Sequence, residues 1–309
     1  MKRAIRVALL AAGLAALVAL VRQVGATIVA DLLRRTGPAL AIVSALYLAH
    51  LAMRAAALWR SIGALRYADV LRIRLSGEAI EMLTFTGPFL AEPAKGWLLT
   101  RQGLSGAEAF GGVAVEYLVY TLTSAWMAMV ALSLLLARAV LPITLRRPVL
   151  GVVVAMAAFT LGFAAAAITG VGLIAPVVRG VGASGAAARF EPVERVLVNF
   201  MHRQPRRLIQ VIGIELAGQL LLAIEILVTV RLLGFAFSSI DALIVEGSVK
   251  FISVAFFFVP GQLGASEGVY TLLFQSLALP GAAGLTMALV RRVRGLIVAA
   301  IGLAASYAL

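Results

Sequence analysis

The segment Phe256-Phe257-Phe258-Val259-Pro260-Gly261-Gln262-Leu263-Gly264-Ala265-Ser266-Glu267-Gly268 breaks a long apolar run with a proline, three glycines and one carboxylate. In water such a break would be a loop. Its flanks, Leu243 to Val259 and Val269 to Leu279, are nearly as apolar as membrane helices. Each is too short to cross about 30 Å of hydrocarbon, which takes ~20 helical residues. Two short helices meeting at a Pro/Gly break inside a bilayer are tolerated only where the freed backbone groups line a cavity or are buried in protein. The break therefore predicts a discontinuous helix of the kind that borders a pathway for a small molecule or a lipid.

Composition agrees with a bilayer setting. Of 309 residues, 62% are hydrophobic and 13% charged, with a mean hydropathy of +1.03. Soluble domains carry about 25% charged residues, so the chain reads as an integral membrane protein with one domain over residues 1–309. The net charge of +13 is spread over short loops, which suits cytoplasmic loops beside anionic lipid rather than nucleic-acid binding. There are no cysteines and only two histidines, His50 and His202, so neither a thiolate site nor a histidine-rich metal centre is expected. No Gly-rich phosphate loop, Ser/His/Asp set or water-facing carboxylate pair is present. The chain is read as neither an enzyme nor a holder of cofactors.

Apolar runs predict an all-α polytopic bundle with full spans at about 4–21, 37–59, 108–137, 148–170, 207–233 and 281–303. Two more segments, about 75–99 and 241–279, are broken at Gly87-Pro88 and Pro260-Gly261 and are expected to be re-entrant hairpins. Lys2-Arg3-Ala4-Ile5-Arg6 before Val7 to Val21 imitates a signal peptide but lacks a clean cleavage site, so it is expected to stay as a first span. Residues 179–207 form a basic connector, with Gly180 to Ala188 read as flexible and Pro192 near a helix start. With the N-terminus inside, inner segments hold fifteen Lys and Arg and outer loops seven, which favours that orientation.

An internal repeat accompanies this plan. Shifted by about 172 residues, Arg60-x-x-Gly63, Asp69-x-Leu71 and Phe85-x-x-Pro88 fall on Arg231-x-x-Gly234, Asp241-x-Leu243 and Phe257-x-x-Pro260. An odd number of full spans per copy would invert the second, the plan of many secondary transporters. The expected organisation is an extra N-terminal span in 1–36, a first repeat in 37–170, a connector in 171–206 and a second repeat in 207–303.

Charges inside apolar runs are the candidate functional residues, because each costs about 3 kcal/mol or more at the bilayer centre without a partner. Glu116 lies two turns into its span, Glu215 and Glu225 share 207–233, and Glu92 and Glu267 follow the two breaks. Glu246 and Lys250 are spaced for a helical pair, and Arg291, Arg292 and Arg294 enter the last span. Glu267 reads either as a cap on its half-helix or as the partner of one of those arginines. Glu92 reads either as an interfacial acid beside Lys95 or as a pathway residue. His50 reads as a satisfied hydrogen-bonder and His202 as a headgroup-level residue.

The run Val259-Pro260-Gly261-Gln262-Leu263-Gly264-Ala265-Ser266-Glu267-Gly268, followed by Ala288-Leu289-Val290-Arg291-Arg292, resembles the C-terminal signature of the lysylphosphatidylglycerol synthase transmembrane (flippase-like) family, closest to its hopanoid-biosynthesis-associated branch. In the first half, Pro88-Phe89-Leu90-Ala91-Glu92 keeps the family's proline and acid. Glu116 matches a family glutamate, while Tyr117 stands where the family usually has arginine, which leaves a first-half ion pair without its usual cation. The resemblance implies a multi-pass protein of the bacterial inner membrane that translocates or presents lipid. The expected pathway comprises Pro88, Glu92, Glu116, Pro260, Gly261, Gly264, Glu267, Arg291, Arg292 and Arg294, around a cavity open sideways to lipid. Arg72, Arg74, Lys95 and Arg101 are expected at its cytoplasmic rim, drawing lipid headgroups. No ATP-binding motif is present, so movement would be downhill, ion-coupled or driven by a partner. The alternative is a membrane scaffold or regulator for a lipid-modifying enzyme.

Overall fold

A computed structural model describes residues 26–84, 87–138, 143–170, 184–255 and 265–307, all of whose regular structure is helical. The helices are α1 (Ala26–Ile62), α2 (Tyr67–Leu83), α3 (Pro88–Arg101), α4 (Gly106–Arg138), α5 (Ile143–Thr169), α6 (Ser184–Arg203), α7 (Pro205–Leu232), α8 (Ser239–Ala255), α9 (Ala265–Ser276) and α10 (Gly281–Tyr307). Four of the helices contain stretches long and apolar enough to cross a membrane: Ala39–Ile62, Gly106–Arg138, Arg146–Thr169 and Pro205–Leu232. The chain is a multi-pass membrane protein. The expected span at 281–303 lies in α10, whose 27 residues suffice in length but include Arg291, Arg292 and Arg294. The expected span at 4–21 and the turn with Pro260, Gly261 and Gly264 lie outside the described residues.

Local chemistry sets the boundaries. α1 ends at Gly63, whose φ of +76° lets its N–H donate back to the Trp59 carbonyl at 2.9 Å. α7 also ends at a left-handed glycine, Gly234 with φ +87°, whose N–H donates to the Arg231 carbonyl at 3.0 Å. Reciprocal capping boxes open two helices: Ser105 with Glu108 before α4, and Ser238 with Asp241 at α8, where each side chain accepts the other's backbone N–H. The first break is abrupt. Thr84 is extended, Gly87 takes φ +51°, and Pro88 starts α3 where a missing N–H costs nothing. α2 begins at Tyr67, earlier than the expected hairpin start at 75, because Asp69 in its first turn and the helix-forming Leu71-Arg72 pair carry the helix back towards Arg66. The connector is corrected too. Ser184 to Ala188 are helical, since the alanine-rich run favours helix, and Pro192 lies inside α6 rather than at its start.

Two sets of four helices share one order of lengths. α2 and α8 are each 17 residues, and both their starts (Tyr67, Ser239) and their ends (Leu83, Ala255) stand 172 positions apart. Packing exchanges the sets. α1 lies along α7; α2 packs on α10 as α8 packs on α4; α1 meets α10 as α7 meets α4. α5 and α6 lie beside α4 outside this pattern, and α6 turns Leu197, Phe200 and Met201 into a core with Val115, Val119 and Val211. Much of α5 is surface: Leu150, Val154, Leu161 and Ile168 face outward, as suits contact with lipid tails.

Both exchanged contacts close on a glycine. A Cβ at Gly247 of α8 would stand 2.6 Å from the Met127 carbonyl oxygen of α4, and one at Gly302 of α10 would strike the Leu75 carbonyl of α2. Lipid tails are as apolar as leucine, so helices in a bilayer associate through such close backbone approach rather than through hydrophobic expulsion. Gly247→Val is expected to lower the thermal unfolding midpoint, with an overpacking cost of about 1–3 kcal/mol. Gly151→Ala, at a position with nothing within 4 Å, is the matched control and should leave the midpoint unchanged. A midpoint shift of the same size in both variants would refute this account of the α4–α8 contact.

Candidate functional site

The centre of the bundle holds charge. On the first side, Arg54 of α1 donates from Nε (3.0 Å) and Nη2 (2.6 Å) to Glu116 of α4, and its guanidinium lies 3.6 Å from the Tyr120 ring centroid. Lys95 of α3 reaches Glu92 at 2.7 Å and Glu116 at 3.7 Å. Arg74 of α2 pairs with Glu78 at 2.9 Å, one turn along its own helix, and stands 4.0 Å from Glu92. Glu215 of α7 completes this group, 3.9 Å from Arg54. On the second side, Glu225 of α7 binds Arg294 and lies 3.4 Å from Arg291, both on α10. Arg291 also holds Glu246 of α8 at 2.6 Å, and Glu246 holds Lys250 at 3.1 Å. Tyr270 of α9 accepts from Arg291 at 2.7 Å. A separate pair joins α9 to α10, Glu267 with Arg292 at 2.7 Å.

Two tyrosines link the sides. Tyr47 of α1 donates to Glu78 at 2.5 Å while the Arg294 guanidinium lies 3.7 Å from its ring centroid. Tyr120 sits between Arg54 and Lys250, the latter 5.7 Å from its ring centroid. The 172-residue shift that superimposes α2 on α8 also carries Arg74 onto Glu246 and Glu78 onto Lys250. Both are helical i,i+4 ion pairs, and their signs are reversed. The long helices follow suit: α1 brings a cation to an acid on α4, whereas α7 brings an acid to cations on α10.

The structure redistributes the residues expected from sequence. Lys95 is 0% and Arg74 1% exposed, so neither stands at a headgroup rim; each is drawn inward by carboxylates on the helices it packs against. Arg72 and Arg101 do remain at the surface, Arg72 near Asp69 at 3.5 Å and Arg101 over Trp97. Glu116 is fully buried and ion-paired rather than lining an open space, because Arg54 from α1 supplies the cation that position 117 lacks. Glu267 takes Arg292, with Ser266 tying both. Glu246 and Lys250 pair as their spacing predicts. His50 is buried with Nδ1 2.8 Å from the Gly218 carbonyl, and His202 is exposed. Sequence reading left Arg54 and Glu78 without a role. The signal for Glu78 was present, an acid four residues after Arg74 at the repeat-mate of Glu246–Lys250. Among the described residues no three His, Cys, Asp or Glu converge as metal ligands.

Leaving one partner of a buried pair uncompensated costs about 3–5 kcal/mol. Glu116→Gln and Arg54→Gln are each expected to depress the thermal midpoint strongly, and the double variant to lose far less than the sum. Additive losses in a calorimetric double-mutant cycle would show that the pair is not coupled. Arg72→Gln, at the surface, should be nearly silent.

Across residues 3–302 the chain matches the family model described as the lysylphosphatidylglycerol synthase TM region. No curated protein and no solved structure matches it.

Proposed function

The chain belongs to the lysylphosphatidylglycerol synthase transmembrane family, and on that premise we propose that it moves a lipid across the membrane in which it lies, the two broken-helix pairs acting as gates. The observation that carries this reading is the exchanged packing: α2 seats on α10 and α8 on α4, each the closing helix of the other set, while α3 and α9 stay against the closing helix of their own. Read as an inverted repeat, the two broken-helix pairs enter from opposite faces and meet at the paired charges. Membership in a family concerned with lipid supports the substrate class, a phospholipid or an isoprenoid or hopanoid lipid. The charged centre would handle a polar headgroup while tails stay among outward-facing apolar residues, so no charge crosses bare hydrocarbon. The protein acts without cofactor or covalent chemistry, in the bacterial inner membrane, with its N-terminus cytoplasmic. In this conformation the centre is closed, and transport requires its ion pairs to exchange partners as the sets move.

That same closure favours a second reading. Charges relieved by each other rather than by water would also suit a non-transporting scaffold for a lipid-modifying enzyme. Purified protein in liposomes carrying a fluorescent lipid in both leaflets separates the two. A translocase lets an impermeant quencher reach the inner-leaflet pool over time, and Arg291→Gln should slow that phase; a scaffold leaves the inner pool protected.

The cysteine-free sequence allows a direct test of the gate geometry. Single cysteines at Arg66 and Gln102 flank the first broken pair, and at Ala236 and Ala278 the second; all four positions are exposed. Membrane-impermeant thiol labelling of intact and opened cells should place the first two together on the cytoplasmic side and the last two together on the opposite side. Labelling of Ala236→Cys and Ala278→Cys from opposite sides would make α8 and α9 a through-going span and end the re-entrant reading.

A further inference from the structure

We propose that Glu215, with Gln219 one turn further on, binds a monovalent coupling cation, a proton or Na+, at the centre of the bundle. Its use in coupling rests on the translocase reading; the binding does not. Glu215 is fully buried, and neither of its oxygens has a hydrogen-bond donor. Glu92 also has two oxygens without a hydrogen-bond donor, but it is partly exposed and has the Lys95 ammonium at 2.7 Å; the remaining carboxylates of the charged centre differ. Glu78, Glu116, Glu225 and Glu246 each hold a guanidinium within hydrogen-bond distance. The nearest cation to Glu215 is Arg54 at 3.9 Å, beyond a hydrogen bond, and it is already committed to Glu116 through two donors and to the face of Tyr120.

Gln219 makes the same point from its own side. It is fully buried, and its amide nitrogen is fixed by donating to Ser124 Oγ at 2.8 Å, which leaves the amide oxygen without a donor. Residues four apart share a helix face, with Cβ atoms about 5–6 Å apart. Across Arg54, Glu116 Oε2 also lacks a donor. These are acceptors awaiting a positive group, and all are oxygens, the ligands of hard cations. One free carboxylate and one amide supply too little charge for a divalent ion. A proton added to a Glu215 oxygen turns it into a donor within reach of the Gln219 carbonyl; Na+ is held by the same lone pairs.

The surroundings make occupancy consequential. Arg54 faces Glu215 from α1, with His50 one turn away, and Glu116 faces it from α4. Arg74 of α2 and Lys95 of α3 act on it at longer range. α6 meets α7 through apolar Leu197, Phe200 and Met201. Lys250 of α8 lies 5.7 Å from the centroid of the Tyr120 ring that Arg54 also faces, while Glu246 of α8 and Arg291 and Arg294 of α10 gather with Glu225, about 15 Å further along α7. With the cation bound, Arg54 belongs to Glu116 and fastens α1 to α4. With the site empty, two carboxylates compete for one guanidinium, and α1 is drawn towards α7. A ligand that favours one packing over the other shifts their populations by its difference in affinity, which is what coupling requires.

Infrared difference spectra of the purified protein in lipid nanodiscs test the binding, in sodium-free buffer between alkaline and acid pH and separately on adding Na+. The expected result is either a carboxylic-acid C=O band at acid pH or a shifted carboxylate band with Na+, lost in Glu215→Gln. Glu215→Asp should move the band and keeps the test alive if the glutamine variant does not fold. Spectra of the glutamine variant, or failing that the aspartate variant, that match wild type in both arms overturn the proposal. Liposomes then test coupling, with lipid movement expected to quicken under a gradient of whichever ion the spectra identify. Movement indifferent to that gradient overturns the coupling role and leaves the translocase reading intact. A Glu215-dependent band without any lipid movement supports the cation site and removes the translocase reading.

Discussion

A charge in hydrocarbon must be neutralised, and this bundle satisfies that requirement almost entirely with its own side chains. α1, α2, α3, α4, α7, α8 and α10 each place at least one ionised group in the buried centre, and the partners mostly lie on different helices. The consequence is positional. A helix whose arginine must meet an acid on a neighbour has little freedom to slide or rotate, because every other register strands a charge at a cost of several kcal/mol. The ion pairs add little net stability, since their desolvation consumes most of their attraction, but they select one packing among many apolar ones. Close glycine contacts at Gly247 and Gly302 then allow the backbones to approach along the register so chosen.

The two helix sets keep geometry and give up chemistry. The lengths of α2 and α8 and the packing partners of the two sets correspond, while Arg74–Glu78 becomes Glu246–Lys250 with its signs exchanged. Coulomb attraction does not distinguish which helix carries which sign, so a pair can reverse without disturbing the fold as long as both members change. The result is a centre with different electrical character on its two sides. Arg54, Arg74 and Lys95 sit among four acids, Glu78, Glu92, Glu116 and Glu215, whereas Lys250, Arg291 and Arg294 share only Glu225 and Glu246. One side is short of positive charge and the other has it in excess. α2 and α8, alike in length, thus face unlike surroundings.

Much of this was legible in the residues. Long apolar runs determined the spans at Ala39–Ile62, Gly106–Arg138, Arg146–Thr169 and Pro205–Leu232, because bilayer thickness fixes helix length and lipid leaves the backbone no other way to bond. Gly87-Pro88 determined the first break, and the shift of 172 residues carried α2 onto α8. Glu246–Lys250 followed from helical spacing alone, since four residues return to the same face. What only the tertiary structure decided is partnership across helices. Lys95 and Arg74 looked like rim residues because a basic residue near a helix end normally finds water; Glu78 and Glu92 lie within one turn of them, but nothing local reveals that Lys95 also meets Glu116 on α4 and Arg74 meets Glu92 on α3. Arg54 lies 62 positions from Glu116, and Arg294 69 from Glu225. Their meeting depends on which faces α1 and α7 turn towards α4 and α10. Local residue patterns fix how far a helix runs and where it stops; how it is rotated against its neighbours is settled only when all the buried charges are neutralised at once.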